Sequence, residues 1–130
     1  MFSGISNYYC NICKDSCDSN FSSKIFRSPY ALILILERNK KAIFDIKIDI
    51  KETIDITEFV LEKDKPNIIY NLYGVISIIT QNDNLYYVAS CKSLFDNKWY
   101  RINDYQTKPI LDIKEIFDYG IPYILFYQKQ

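Results

Sequence analysis

Apolar residues in this chain recur in short runs with a period of two, and clusters of turn-forming residues separate the runs. The alternation is clearest where Ile46, Ile48 and Ile50 are interleaved with charged residues, a pattern typical of a half-buried β-strand. Runs of this kind predict strands at 30–38, 43–50, 68–80, 85–92, 99–103 and 123–128. The stretch Gln81-Asn82-Asp83-Asn84 has the composition of a hairpin turn. The pattern therefore predicts a β-rich chain.

The strand predicted at 30–38 is apolar on both of its faces. Leu32 and Leu34 would lie on one face with Leu36, while Ile33 and Ile35 would lie on the other. Apolar side chains on both faces are typical of a strand in the middle of a sheet that is covered on both sides. The sequence thus predicts a central, doubly covered strand.

Helical periodicity is confined to two short stretches. Thr53 or Asp55 is placed to cap a short helix that carries apolar residues at three- and four-residue spacing, namely Ile56, Phe59 and Val60. Residues 113–119 are predicted to form one or two helical turns. The remaining segments are predicted as a loop or small ribbon at 1–23, a short strand at 24–27 ended by proline, and a solvated break at 63–67. No internal repeat or linker divides the chain, so we expect one unit.

Composition narrows the function classes. With 130 residues, 48% of them hydrophobic, the chain is long enough for one core. Its net charge is zero and its basic residues are scattered, which argues against a nucleic-acid surface. The longest apolar run, 30–36, is too short to span a membrane. Four cysteines without a secretory signal pattern indicate a reducing compartment, the cytoplasm or the nucleus.

Four motifs follow one another through the second half of the chain. They are Tyr70-Asn71-Leu72-Tyr73-Gly74-Val75, Leu85-Tyr86-Tyr87-Val88-Ala89, Trp99-Tyr100-Arg101-Ile102-Asn103-Asp104 and Pro122-Tyr123-Ile124-Leu125-Phe126-Tyr127. In order and spacing they resemble the C-terminal half of the ubiquitin-specific protease domain, the papain-like cysteine deubiquitinases. The resemblance implies an α+β fold, mostly antiparallel β with few short helices. It further implies a finger-like cysteine region at 1–28 and a palm-like β-sheet at 29–130.

The resemblance also locates the positions at which this chain departs from the family. Tyr86 stands where the family has its catalytic histidine, and Leu85 stands where the family has glycine before it. Ile78 and Thr80 occupy the family's H-x-G pair, and Asp104 falls at the position of the triad acid. The chain contains no histidine and no Gly-Asn-x-Cys nucleophile box.

A cysteine protease acts through a thiolate, and a free thiol with a pKa of about 8.5 is only slightly ionised at neutral pH. Imidazole, with a pKa of about 6.5, accepts the thiol proton under these conditions. A tyrosine has an ordinary pKa of about 10 and is itself protonated, so it cannot act as the base. We therefore expect no catalytic residue to be active in this chain alone.

Three functional interpretations remain open from the sequence. The first is an inactive relative that binds ubiquitin, a ubiquitinated protein or another partner. In it Leu85, Tyr86 and Tyr87 would line the ubiquitin-tail cleft, and Leu85 and Tyr86 would close it. The second is a non-enzymatic β-sheet module that associates with itself or with an unrelated protein. The third is a fragment of an active cysteine deubiquitinase completed by a thumb-like segment that carries the nucleophile.

The cysteine-rich N-terminal segment could hold a metal. Cys10 and Cys13 form a CxxC pair that resembles half of the four-cysteine zinc site of the family's finger region. Structural zinc takes four ligands, and Cys17 is a possible third while Cys91, in a predicted strand, is a poor fourth. The sequence favours a ribbon with idle thiols over a zinc site in the isolated chain.

The other conspicuous residues have simpler interpretations. In strands, Tyr86 and Tyr87 are usually packing residues, and Trp99 and Tyr100 are core anchors. Cys91 is expected to behave as a small buried hydrophobe, because no histidine is present to activate it. Asp104, on sequence alone, is an ordinary turn residue.

Overall fold

The computed structural model describes residues 3–37, 48–61 and 67–130. These residues fall into two compact units. The first contains the described residues up to Ser28 and those from Asp55 to Ile68. The second contains those from Pro29 to Ile54 and from Ile69 to Gln130.

The first unit begins with an antiparallel hairpin. Strand β1 (Ser3–Cys10) pairs with β2 (Asp15–Ser22), with Cys10 opposite Asp15 at the turn. The N–H of Lys14 donates to the carbonyl of Cys10 at 2.8 Å, and Lys14 has a φ of 55°. The ribbon predicted at the start of the chain is confirmed, and nearly all of its side chains are exposed.

The remainder of the first unit corrects two sequence predictions. The helix predicted to hold Phe59 is a single 3₁₀ turn, Thr57–Phe59, and the strand predicted at 24–27 is a single parallel bridge from Ile25 to Val60. The run Thr53-Ile54-Asp55-Ile56-Thr57 is rich in β-branched residues, which restrict side-chain rotamers in a helix and favour extended backbone. The N-cap of this turn is Ile56, without a side-chain cap bond, and Asp55, one residue earlier, accepts the backbone N–H of Thr57 on Oδ1 at 2.8 Å.

The second unit is built on a seven-stranded sheet with the order β3-β9-β5-β6-β7-β8, and β4 pairs with β5 off this path. The strands are β3 (Ala31–Ile35), β4 (Thr53–Asp55), β5 (Ile69–Gln81), β6 (Asn84–Lys92), β7 (Trp99–Asn103), β8 (Gln106–Ile110) and β9 (Ile121–Lys129), and a helix α1 (Lys114–Tyr119) precedes β9. The pairs along the path are antiparallel. The predicted fold class, mostly antiparallel β with few short helices, is confirmed.

The predicted hairpin between β5 and β6 is confirmed in detail. Gln81 pairs with Asn84, and the two residues between them, Asn82 and Asp83, have φ values of 50° and 61°. Positive φ at both central positions is the geometry of a type I′ turn, in which Asn and Asp are favoured. The strand β8, in contrast, was not predicted.

The prediction of a central, doubly covered strand at 30–38 is wrong. Among the described residues β3 lies at one end of the sheet, and Ile33 and Ile35 on its outer face are 55% and 58% exposed. Only the face with Leu32 and Leu34 is partly covered. The predicted strand at 43–50 lies largely outside the described residues, and 48–50 form no strand. The predicted break at 63–67 also lies mostly outside the described residues.

The two faces of the sheet differ in what covers them. The face that carries Val75, Val88 and Leu125, here called the front face, is buried at these three central residues. Helix α1 contacts β5 and β9, and Ile116 of α1 is buried. Farther along, the hydroxyl of Tyr127 donates to the carbonyl of Lys51 at 2.7 Å. The core of the second unit thus lies on the front face.

The opposite face, here called the back face, is apolar and open. One row of paired residues crosses five strands and is entirely aliphatic: Ile35, Ile124, Ile76, Ala89 and Ile102. A neighbouring row contains Ile33, Phe126 and Tyr100. Ile33, Ile35 and Ile102, at the outer ends of these rows, are exposed, whereas Tyr100 is half-buried. The back face is therefore a broad apolar surface, and no helix or strand among the described residues packs over its outer strands.

Candidate functional site

Strand β6 positions the residues predicted to line the ubiquitin-tail cleft. Leu85, Tyr86 and Tyr87 pair with Thr80, Ile79 and Ile78 of β5. They are 53%, 47% and 60% exposed, so neither tyrosine is a core residue, although the Tyr87 ring lies 6.1 Å from the ring of Tyr123. The simpler interpretation of these tyrosines as buried packing residues is thus wrong, and they form a surface at the turn end of the β5–β6 hairpin.

Strand alternation distributes these three side chains over both faces of the sheet. Tyr86 shares the front face with the buried residues Val88 and Ser90. Leu85 and Tyr87 share the back face with Ala89. A ligand that contacts all three must therefore wrap the end of the strand, because one flat surface cannot reach both faces.

Asp104 occupies the turn between β7 and β8, where it is exposed and has a φ of 49°. Its interpretation as a turn residue is confirmed. The register of β6 with β7 runs from Lys92 opposite Trp99 to Ala89 opposite Ile102. Continuing that register places residues 86 and 87 beside the β7–β8 turn. The backbone thus brings Tyr86 and Asp104 to the same end of neighbouring strands, with Ile78 and Thr80 on the adjoining strand.

The cysteine of this unit is placed elsewhere. Cys91 is half-buried and pairs with Tyr100 on the back face, five residues along β6 from Tyr86. At roughly 3.3 Å per strand residue, the two Cα atoms are about 16 Å apart. Cys91 therefore cannot act on a group bound at Tyr86. Of the predicted core anchors, Trp99 is buried, whereas Tyr100 is half-buried and its hydroxyl donates to Asp96 at 2.7 Å.

The hairpin of the first unit brings two thiols together. The pKa of Cys10 is lowered because its sulfur accepts hydrogen bonds from the backbone N–H groups of Cys13 and Ile12 and from the Cys13 thiol. Cys17 does not join this pair of thiols; its Sγ donates to the carbonyl oxygen of Tyr8 at 3.8 Å. No group of three or more Cys, His, Asp or Glu suited to a metal occurs in the described parts of the chain. Since structural zinc takes four ligands, Cys10 and Cys13 supply half of such a ligand set, and the preference for a ribbon without zinc stays a prediction.

Sequence reasoning missed a polar cavity on the front face of β7 and β8. Arg101, Asn103, Gln106, Lys108 and Tyr119 line it. Four of these residues come together only because β8 pairs with β7, and β8 contains Pro109, a residue type that is unfavourable inside a sheet. The sequence signal that could have revealed β8 is the turn composition of Asn103-Asp104 before a short β-type run.

Comparison with known proteins finds similarity to ubiquitin carboxyl-terminal hydrolases. The family model described as ubiquitin carboxyl-terminal hydrolase matches residues 2–127. Ubiquitin carboxyl-terminal hydrolase 23 of Arabidopsis thaliana is 26% identical over 129 residues, which are 97% of this chain and 15% of the relative. Ubiquitin carboxyl-terminal hydrolase 8 of Saccharomyces cerevisiae is 26% identical over 136 residues, 93% of this chain and 28% of the relative.

Solved structures show the same fold. The Ubp8-containing SAGA DUB module bound to ubiquitin aldehyde matches with a TM-score of 0.74 and 27% identity, covering 96% of this chain and 30% of that one. A variant of the module bound to monoubiquitin also gives a TM-score of 0.74, with 26% identity and coverages of 96% and 29%. The chain therefore spans less than a third of each of these relatives. No helix among the described residues is long and apolar enough to cross a membrane.

Proposed function

The chain belongs to the ubiquitin carboxyl-terminal hydrolase family, and from this membership we propose that it is a catalytically inactive deubiquitinase-like module that binds ubiquitin. In this proposal the hairpin of the first unit is finger-like, and the sheet of the second unit is palm-like. The proposed partner is ubiquitin itself or a ubiquitinated protein, and the proposed compartment is the cytoplasm or the nucleus.

One observation carries the proposal of inactivity. The family's motif frame is retained from Tyr70 to Tyr127, yet a tyrosine stands at residue 86 and the chain of 130 residues has no histidine. A phenol cannot take the proton of a thiol at neutral pH, because it holds its own proton more firmly than the thiol does. Asp104 would have no imidazole to orient.

Binding of ubiquitin is supported by the Ubp8 module, which adopts the same fold and is bound to ubiquitin aldehyde or monoubiquitin in its solved structures. The way in which this chain binds ubiquitin would differ in one respect from that of family members with glycine before residue 86. Leu85 places an exposed side chain where the family has glycine, and this removes space for the glycine-rich tail of ubiquitin. We therefore propose that the globular body of ubiquitin supplies the affinity and that the tail stays outside the cleft.

Calorimetric titration tests binding and its mode together. Ubiquitin is expected to bind, and ubiquitin that lacks its two C-terminal glycines is expected to bind equally well. Leu85→Gly should tighten the binding of intact ubiquitin only, because it reopens space for the tail. Leu94→Gly is the matched control, since Leu94 is an exposed leucine beyond the opposite end of β6. Absence of heat at high protein concentration would remove support for ubiquitin binding.

A fluorogenic ubiquitin substrate tests inactivity. The unmodified chain is expected to release no fluorophore, and Tyr86→His is expected to release none because the nucleophile is still missing. Turnover by the unmodified chain would refute the proposal. If a separately supplied nucleophile-bearing segment produced turnover with Tyr86→His but not with the unmodified chain, the loss of the base would be the cause. Turnover with the unmodified chain and that segment would establish the alternative of a completed active protease.

A second candidate function is a self-associating interaction module, and the open back face favours it. Burial of roughly 500 Å² of this face, at about 25 cal/mol per Å², would contribute on the order of 10 kcal/mol before the costs of association. A second copy of the chain is the simplest partner that presents a matching apolar surface. Light scattering should then give a dimer that Ile33→Lys converts to a monomer. A clean monomer of the unmodified chain that binds no apolar dye would exclude this candidate.

A further inference from the structure

Two cations lie directly opposite each other on the front face of the β7–β8 hairpin. Arg101 pairs with Lys108, and the next pair towards the turn is Asn103 with Gln106. Both pairs lie on the same face, because Arg101 and Asn103 are two residues apart on β7 and residues two apart on a strand point in the same direction. The four side chains therefore form a compact patch of two positive charges and two amides.

The guanidinium of Arg101 is held in place by α1. Its central carbon lies 3.8 Å from the centre of the Tyr119 ring, and Nη2 donates to the carbonyl of Glu115 at 2.8 Å. Nε is buried and has no hydrogen-bond partner among the described residues. The carboxylate of Glu115 is engaged with the backbone, because its Oε1 accepts the N–H groups of Leu111 and Asp112.

These residues enclose a small cavity. It has a volume of about 60 Å³, and its lining contains Arg101, Lys108, both amides and Tyr119, with no carboxylate among the described residues that line it. Like charges opposite each other in an antiparallel pair are destabilising. This volume is well above the roughly 10–15 Å³ that one water needs by such a measure, so the cavity has space for a small oxyanion.

We propose that this cavity is an oxyanion site that takes a phosphate group. Arg101 supplies a fixed guanidinium whose planar donors match phosphate oxygens, and Lys108 supplies a mobile point charge from the opposite strand. The side-chain amides of Asn103 and Gln106 supply neutral N–H donors. Binding of the anion would replace repulsion between the cations by attraction to a shared ligand. The site does not depend on ubiquitin binding or on residue 86.

Nuclear magnetic resonance tests the site directly. Inorganic phosphate is titrated into the ¹⁵N-labelled chain against sodium chloride of equal ionic strength. The Arg101 Nε–H signal and the side-chain amide signals of Asn103 and Gln106 are expected to shift in a saturable manner with phosphate only. Lys108→Gln should abolish saturation, whereas Lys24→Gln, which removes the same charge from an exposed position in the other unit, should leave it unchanged. Equal shifts in chloride would overturn the proposal.

Thermal unfolding gives a second test, because chloride and phosphate should change the Tm of the unmodified chain relative to Lys108→Gln in opposite directions. In chloride, Lys108→Gln should unfold at a higher temperature than the unmodified chain, because the repulsion with Arg101 is removed. If the dissociation constant for phosphate is about 1 mM, then 10 mM phosphate should raise the Tm of the unmodified chain by about 5 °C. Lys108→Gln should not respond. A phosphate effect of the same size in both proteins would refute the site, as would its absence from both.

Discussion

Gly120→Ala tests how closely the connection from α1 to β9 packs against β5. A Cβ atom added at Gly120 would lie 2.8 Å from Cγ2 of Ile79, 2.9 Å from the carbonyl oxygen of Ile78 and 3.2 Å from Cβ of Ser77. The φ of Gly120 is −165°, an extended conformation that any residue adopts, so the expected penalty comes from these contacts alone. The Ile79 methyl can move by a rotamer change, but the carbonyl oxygen belongs to a strand paired on both sides.

The magnitude follows from two opposing effects. Overpacking that forces a backbone shift costs about 1–3 kcal/mol, whereas replacing glycine by alanine recovers about 0.4–1 kcal/mol through the unfolded chain. The net destabilisation should therefore be about 1–2 kcal/mol, which corresponds to a decrease in Tm of about 5 °C for a chain of this size. Unfolding by urea, followed by circular dichroism, measures this difference at protein concentrations low enough to limit self-association.

Gly74→Ala is the matched control within the same sheet. Its added Cβ would lie 3.4 Å from Cβ of Phe126, an ordinary van der Waals contact, and Gly74 does not have positive φ. We expect a change in the free energy of unfolding within about 0.5 kcal/mol. If Gly120→Ala proved as mild as Gly74→Ala, the close packing of the α1–β9 connection on β5 would be wrong.

Three further predictions concern buried and surface polar groups. Tyr127→Phe leaves the carbonyl of Lys51 without its 2.7 Å donor and should lower the free energy of unfolding by about 1–2 kcal/mol in urea, while Tyr100→Phe, which loses a bond near the surface, should cost under about 0.5 kcal/mol. Ser77→Ala should be neutral or slightly stabilising in the same assay, because the buried hydroxyl has no partner among the described residues. The Tyr100 hydroxyl holds the pKa of Asp96 below its usual value. The ionised Asp96 therefore stabilises the fold above the pKa of the unfolded state, and this contribution is lost as the pH falls below about 4. Asp96→Asn should flatten that part of the curve of unfolding free energy against pH, and an unchanged curve would contradict the prediction.

Local chemistry explains why most of the sheet could be predicted. Asn82 and Asp83 tolerate the positive φ that a two-residue hairpin turn needs, so they fixed the boundary between β5 and β6. Alternation within β6 and β7 is likewise a property of neighbouring residues. The position of a strand within the sheet, in contrast, is not set by neighbouring residues. The sequence of β3 has two apolar faces, but which elements cover them depends on residues far away in the chain.

The same distinction applies to the candidate sites. The sequence singled out Tyr86 as a candidate because a run of motifs surrounds it, and its role stays a prediction. It did not reveal the cavity at Arg101, since that cavity needs the pairing of Arg101 with Lys108 and the return of α1 over the front face. The period-two pattern also did not show that Leu85 and Tyr86 would be exposed, because exposure at the end of a hairpin depends on the elements that pack beside it.

Most of the residues that depart from the family pattern differ in burial from the residues that carry the resemblance. Tyr70, Leu72, Val75, Trp99 and Tyr127 belong to the motifs and are all buried, so they hold the fold together. Among the departures, Thr80, Leu85 and Tyr86 are exposed at the turn end of the β5–β6 hairpin, whereas Ile78 is buried. Substitution at exposed positions usually changes stability little. Changes at these exposed positions are therefore compatible with an intact sheet, and the proposed loss of the base at residue 86 does not require the fold to change.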